Sequence, residues 1–226
     1  PHKALCAESY SHLEGYCEKG SIKACHLKAL ALFSGMHTLP SKASPLRIIA
    51  KLSKHGCDQG HAPSCFLAAE VGVQLLPPKK SKAEITALIT KACRLGYQPA
   101  CVVKAHSLYD IGGTSRQRAL NLYETACKAN TPEACNALGL HFTIDGKKTP
   151  DAAQGAAYFG RACFMEESGA SLEGCLNLGR LFHRGIGVSV NRKKAALLYK
   201  RVCEAVIQTG CSQLKVLDEE QADEKK

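Results

Sequence analysis

The sequence predicts an all-α solenoid of αα-hairpins, on three observations. Cysteine pairs with seven intervening residues recur every 34–40 residues, at Cys17–Cys25, Cys57–Cys65, Cys93–Cys101, Cys127–Cys135 and Cys203–Cys211; Cys163–Cys175 is the same pair stretched to eleven. A fixed period of that length marks a stacked repeat array. Between the pairs, apolar and small residues fall three or four apart, as one face of a helix requires. Alanine and leucine are abundant while tryptophan is absent and aromatics make up 6%, which favours close-packed helices over a sheet.

Taken in order, residues 1–16 read as a lone helix with Leu5, Ser9, Leu13 and Tyr16 near one face, an N-terminal cap that ends at Cys17. Repeats follow at about 17–56, 57–92, 93–126, 127–162 and 163–202, then a C-terminal cap helix at 203–217. In each repeat a short turn separates the two cysteines, as in Gly60-His61-Ala62-Pro63 and Asn130-Thr131-Pro132. A first helix begins at the second cysteine, a polar loop follows, and a second helix runs into the next cysteine. Ser44-Pro45, Ser81, Ser115 and Asn191 are the expected caps of second helices. Residues 218–226 hold five acids and two lysines and are expected to fray as a charged, disordered tail.

The chain carries +10 at pH 7 and no run of eighteen apolar residues, so no transmembrane helix is expected. In a reducing cytosol regular cysteine pairing points to metal or redox chemistry, in an oxidising compartment to disulfides. Zinc sites want two to four residues between ligands, a spacing these pairs do not have, and the nine histidines keep no common phase with them. The pairs therefore read as six disulfides in a periplasmic, secreted or organellar protein. No signal peptide stands at Pro1, so the chain reads as a mature form. Cys6 is left over and is read as a free thiol; eleven residues from Cys17 on one helix, it lies too far along the axis to pair with it.

The fullest repeat is residues 174–203: Cys175, then Leu176, Leu178, Gly179 and Phe182, then Gly185-Ile186-Gly187-Val188, then Lys194, Ala195, Leu198, Tyr199 and Cys203. Residues 134–163 and 100–127 repeat it more loosely. This pattern resembles the Sel-1-like repeat, in the disulfide-rich branch represented by the Helicobacter cysteine-rich proteins, over about residues 17–217. The resemblance implies a right-handed superhelix with a concave inner surface, and a disulfide from the end of each hairpin to the start of the next. It implies a protein–protein interaction role, with a weaker association with β-lactam binding or hydrolysis.

No catalytic set is expected. Ser212-Gln213-Leu214-Lys215 fits Ser-x-x-Lys, and Ser189-Val190-Asn191 loosely fits the second motif of penicillin-recognising enzymes, but no Lys-Thr-Gly exists. No metal or other cofactor is expected. The candidate partner-binding residues are Lys104, Tyr109, His141, Arg180 and His183 on first helices. Lys79, Lys80 and Lys82, Arg116 and Arg118, Lys147 and Lys148, and Arg192 and Lys193 join them in inter-helix loops, where stacking would line them up as a basic ridge. Such a ridge suits an acidic protein partner or an anionic membrane surface, or serves only solubility. Nucleic acid is not expected, because no aromatics interleave with the charge. The expected function is a non-catalytic, monomeric scaffold for a protein partner: a periplasmic immunity protein against a secreted toxin, or a secreted host-interaction protein. The rivals are a weak β-lactam-directed enzyme and a mitochondrial intermembrane-space assembly factor.

Overall fold

The computed structural model describes the backbone of residues 2–37, 44–75, 78–144, 151–165 and 169–223, and side chains within these except at 2–8, 75, 78–81, 144 and 221–223. The described residues form twelve α-helices and no strand: α1 His2–Glu18, α2 Ile22–Phe33, α3 Pro45–Asp58, α4 Ala62–Leu75, α5 Pro78–Arg94, α6 Gln98–Ile111, α7 Gly113–Lys128, α8 Pro132–Ile144, α9 Ala152–Cys163, α10 Leu172–Arg184, α11 Arg192–Glu204 and α12 Gln208–Asp223. They fall into two compact units, Pro1–Ser107 and Leu108–Lys226. Within each unit consecutive helices pack as αα-hairpin repeats.

The seven-residue cysteine spacing has a geometric origin. At five of the six junctions the helix ends in a turn whose last residue takes positive φ: Gly20, Gly60, Gly96, Asn130 and Val206. The residue after it returns its N–H five residues back, as His61 to Gly56 O (2.9 Å), Tyr97 to Ala92 O (3.1 Å), Thr131 to Ala126 O (3.0 Å) and Ile207 to Val202 O (3.3 Å). This six-to-one closure is a Schellman cap. It reverses the chain within a few residues and brings the end of one helix to the first turn of the next. Six cysteine pairs consequently stand at disulfide distance with Cα–Cα 4.4–4.8 Å, each joining a second helix to the following first helix. The stretched pair obeys the same rule. Ser171 N–H donates to Ala162 O at 2.9 Å, in the same register to its two cysteines as Thr131 to Ala126, so the four extra residues are accommodated between Ala162 and Ser171.

Small residues let the helices approach. A Cβ at Gly139 would stand 2.5 Å from the Phe159 ring and one at Gly179 would stand 2.7 Å from the Tyr199 ring. Both aromatics belong to the second helix of the same repeat and are almost wholly buried. In the second unit Phe159, Leu178, Leu181, Leu198 and Val202 form one core around Cys163–Cys175, and Ala195, Tyr199 and Leu217 form the next. The first unit packs Tyr10, Leu32, Ile49, Leu67 and Val71 together.

Several expectations shift. The buried aromatic of α1 is Tyr10, while Tyr16 is 60% exposed and Ser9 is exposed too; six positions apart, the two tyrosines lie on different faces of a 3.6-residue helix. Ser81 and Ser115 lie inside helices, because α5 starts at Pro78 and α7 is entered from Gly112 at φ 78°. Ser44 stands at its cap position without a side-chain bond, and Asn191 caps α11 by accepting from Lys194 N–H. The final helix is α12, which runs on to Asp223 where a frayed tail is expected from residue 218. Lys215–Glu219 (3.7 Å) and His183–Glu220 (2.6 Å) hold this extension. The Cys6 side chain lies outside the described residues.

Candidate protein-binding surface

In the second unit the first helices α8 and α10 share a polar ladder. Arg180 donates to Asn177 Oδ1 (3.3 Å), Asn177 Nδ2 donates to Asn136 Oδ1 (3.0 Å), and Asn136 Nδ2 donates to Glu173 Oε2 (3.4 Å). Asn136 is buried, so its amide needs both partners. The ladder fixes Arg180 at one end and leaves Glu173 exposed at the other. Beside Arg180 lies a recess of about 260 Å³ bounded by Thr143, Phe159, Asn177 and Arg184. Two guanidinium groups thus flank a small concavity, an arrangement suited to a carboxylate on a partner.

A second group surrounds Tyr109. Its hydroxyl hydrogen-bonds His141 Nδ1 at 2.9 Å, and the Arg116 guanidinium stacks on its ring at 4.7 Å. His141 in turn meets Phe142 edge-on, and Phe142 stacks on Tyr158. Tyr123 lies beneath, its phenol held well above the usual range by burial and by the nearby Asp110 and Tyr109. The structure therefore brings Tyr109, His141 and Arg116 together, and separately places Arg180 beside Arg184. His183 is engaged within the fold by Glu220 from α12. In the first unit Lys104 is half-buried on α6.

The described basic residues expected in inter-helix loops stand in the first two turns of second helices. Lys79, Lys80 and Lys82 belong to α5, Arg116 and Arg118 to α7, Arg192 and Lys193 to α11. Helices α5 and α7 start earlier than Ser81 and Ser115 suggest, while α11 starts directly after its expected cap Asn191. Lys147 and Lys148 lie outside the described residues, as do the side chains of Lys79 and Lys80. Between the basic starts of α7 and α11, helix α9 opens on Asp151, whose side chain caps Gln154 N–H. Asn136, Glu173 and Asn177 were not among the sequence candidates; their signal is a polar residue within two positions of a first-helix cysteine.

The Ser-x-x-Lys pair shows no mutual contact: Ser212 Oγ donates to Gln208 O (3.0 Å) and Lys215 pairs with Glu219. Asn191 is occupied as a helix cap. Among the described residues no histidine, cysteine and carboxylate group could hold a metal ion, and no helix is long and apolar enough to cross a membrane.

Comparison with known proteins bears on the fold. The Sel1 repeat model matches residues 107–130, 132–163 and 172–205. No curated protein matches the chain by sequence. Among solved structures, a protective antigen of uropathogenic Escherichia coli with an SLR fold superposes with TM-score 0.75 at 16% identity, covering 94% of this chain and 44% of that one. A Sel1 repeat protein from Oxalobacter formigenes gives 0.74 at 20%, covering 93% and 59%. An immunity protein from Pseudomonas aeruginosa gives 0.60 at 16%, covering 86% and 72%. The chain thus spans about half the length of the first two, and at these identities the likeness is one of fold.

Proposed function

We propose that this chain, a Sel1-repeat protein in which hairpin junctions are closed by cysteine pairs, is a protein-interaction scaffold working in an oxidising, extracytoplasmic compartment. The observation that carries this reading is the first-helix face of the second unit, where Arg180 is held by an amide ladder that runs to the buried Asn136, beside Arg184 and a recess. Long cationic side chains lose rotamer entropy on binding, and an arginine fixed beforehand loses less. Tyr109, His141 and Arg116 add an aromatic anchor of the kind that dominates protein interfaces. The partner is a protein with an acidic surface, and the compartment is the periplasm or the cell exterior.

Within that reading, the favoured role is a periplasmic immunity protein that blocks a secreted toxic effector. Its support is the shared fold with the Pseudomonas immunity protein over most of both chains. The test is site-specific photocrosslinking in periplasm-directed protein. A crosslinker at Arg184 or His141 should trap one defined protein, while one at Glu124 on a second helix should not. Charge reversal at Arg180 and Arg184 should slow association mainly at low salt. Equal trapping at all three positions, or an association rate indifferent to salt, would remove the first-helix face as the binding surface.

A further inference from the structure

An apolar concavity lies between second helices in the second unit. It has a volume of about 680 Å³ and is built by α9, α10 and α11 within the second unit. The α9 wall is a stripe of small residues, Ala153, Ala157 and Gly160, leading to Phe164. Leu178 and Phe182 of α10 form the floor, and Leu197 of α11 forms the opposite wall. Leu197 is 68% exposed and Phe164 58%, a large apolar area left in water for a protein whose other aromatics are mostly covered.

One end of the groove is closed by the Gly185-Ile186-Gly187-Val188 turn. Gly187, at φ 68°, lies so close to helix α9 that a Cβ there would stand 2.2 Å from the Ala152 carbonyl carbon. Only glycine permits that approach, and it sets Val188 into the end of the groove. The rim is cationic. Lys194 lies over the Phe182 ring at 5.2 Å and Arg201 over the Phe164 ring at 5.9 Å. Among the described residues neither is paired with a carboxylate, and no acid lines the groove. Seven residues apart on α11, the two cations stand two turns apart, about 10.5 Å along the axis, with Leu197 and Leu198 between them.

That pattern specifies its complement. A carboxylate-bearing lipid chain would meet one cation and leave the other idle. A helix carrying acids seven residues apart meets both, and apolar residues at the intervening third and fourth positions face the groove. We propose that the groove between α9 and α11 is a docking site for an acidic amphipathic helix of a partner protein, separate from the first-helix surface and independent of the role assigned to it.

The test uses the full chain labelled with ¹⁵N and three probes: a stapled helical peptide with Glu-x-x-Leu-Phe-x-x-Glu, its counterpart with lysines for the glutamates, and decanoate. The acidic peptide should shift the amides of Ala153, Ala157, Gly160 and Leu197 saturably, and the basic peptide should not. Lys194→Glu with Arg201→Glu, both at exposed positions, should weaken the acidic peptide about ten-fold, as two solvent-exposed ion pairs warrant, and should admit the basic one. A second variant, Ala157→Trp, should abolish binding by filling the groove while leaving amides elsewhere unmoved. No saturable shift, equal binding of both peptides, or equivalent shifts from decanoate would overturn the proposal. Each of those outcomes leaves the Arg180–Arg184 face untouched, so the two readings fail separately.

Discussion

Gly179→Ala should destabilise the protein although alanine is the better helix former. The alanine Cβ would sit 2.7 Å from Tyr199 Cε1, 3.0 Å from Cδ1 and 3.4 Å from Leu198 Cβ. To regain the carbon–carbon optimum near 3.5 Å the ring must recede by about 0.8 Å. Tyr199 is fully buried between Leu176, Phe182 and Leu217 and has nowhere to go. Overpacking of this kind costs about 1–3 kcal/mol, and the propensity gain returns at most about 1 kcal/mol. After the full propensity gain the net loss is about 0–2 kcal/mol, read as a lowered urea midpoint with unchanged slope. Gly160→Ala is the internal control. Its nearest neighbour would be Leu178 Cδ2 at 4.0 Å, so the same substitution should be neutral or stabilising by up to about 1 kcal/mol. Shortening the ring by Tyr199→Leu should cancel the Gly179→Ala penalty in a double-mutant cycle. A Gly179→Ala protein stabilised as much as Gly160→Ala, or a cycle with no coupling, would refute close helix approach as the reason for this glycine.

Three further outcomes follow from the same geometry. In the first unit Ser64 Oγ bridges His61 Nδ1 (2.8 Å) and His26 Nδ1 (3.3 Å). Both imidazoles are held below their ordinary value, His26 by burial and then by His61, His61 by burial and then by Lys23. The unfolded chain therefore binds more protons, so stability is full above the ordinary histidine value of about 6.5. It falls as pH drops through the lowered folded values, which thermal unfolding between pH 7.5 and 5 should show and His26→Gln with His61→Gln should flatten. Asn177→Ala removes a donor from the buried Asn136 amide and should cost about 1–3 kcal/mol, measured by chemical unfolding. Val206 is β-branched, 91% exposed and at φ 61° where three other junctions use glycine; Val206→Gly should stabilise by about 0.5–1 kcal/mol, the relief of left-handed strain less the added chain entropy.

The repeat architecture was legible because its markers are local. A Schellman turn between two helices fixes how many residues separate cysteines that meet across it, so Cys57–Cys65 announces the junction without any tertiary knowledge. Leu178-Gly179 and Tyr199 were likewise visible as a pattern, though only the structure shows the ring lying over the glycine. Helix starts were less legible. Ser81 and Ser115 look like caps, but proline at 78 and the glycine pair at 112–113 start the helices earlier, which moves Lys82, Arg116 and Arg118 from loops onto helices. The proposed binding surface was half visible: Tyr109, His141 and Arg180 could be placed on first helices, whereas the capture of His183 by Glu220 depends on α12 continuing past residue 218. The groove between α9 and α11 left no local mark, since its walls, Ala157 and Leu197, are forty residues apart and each reads alone as an ordinary helix surface.

Everything proposed for this chain rests on hairpins tied at their junctions, and peptide mapping of the unreduced protein tests that tie most directly. Digestion after thiol blocking should recover Cys17 with Cys25, Cys57 with Cys65, Cys93 with Cys101, Cys127 with Cys135, Cys163 with Cys175 and Cys203 with Cys211, leaving Cys6 as the blocked thiol. Blocked thiols throughout, or crosslinks joining one junction to another, would contradict both the stapled repeat and the oxidising compartment assigned to it.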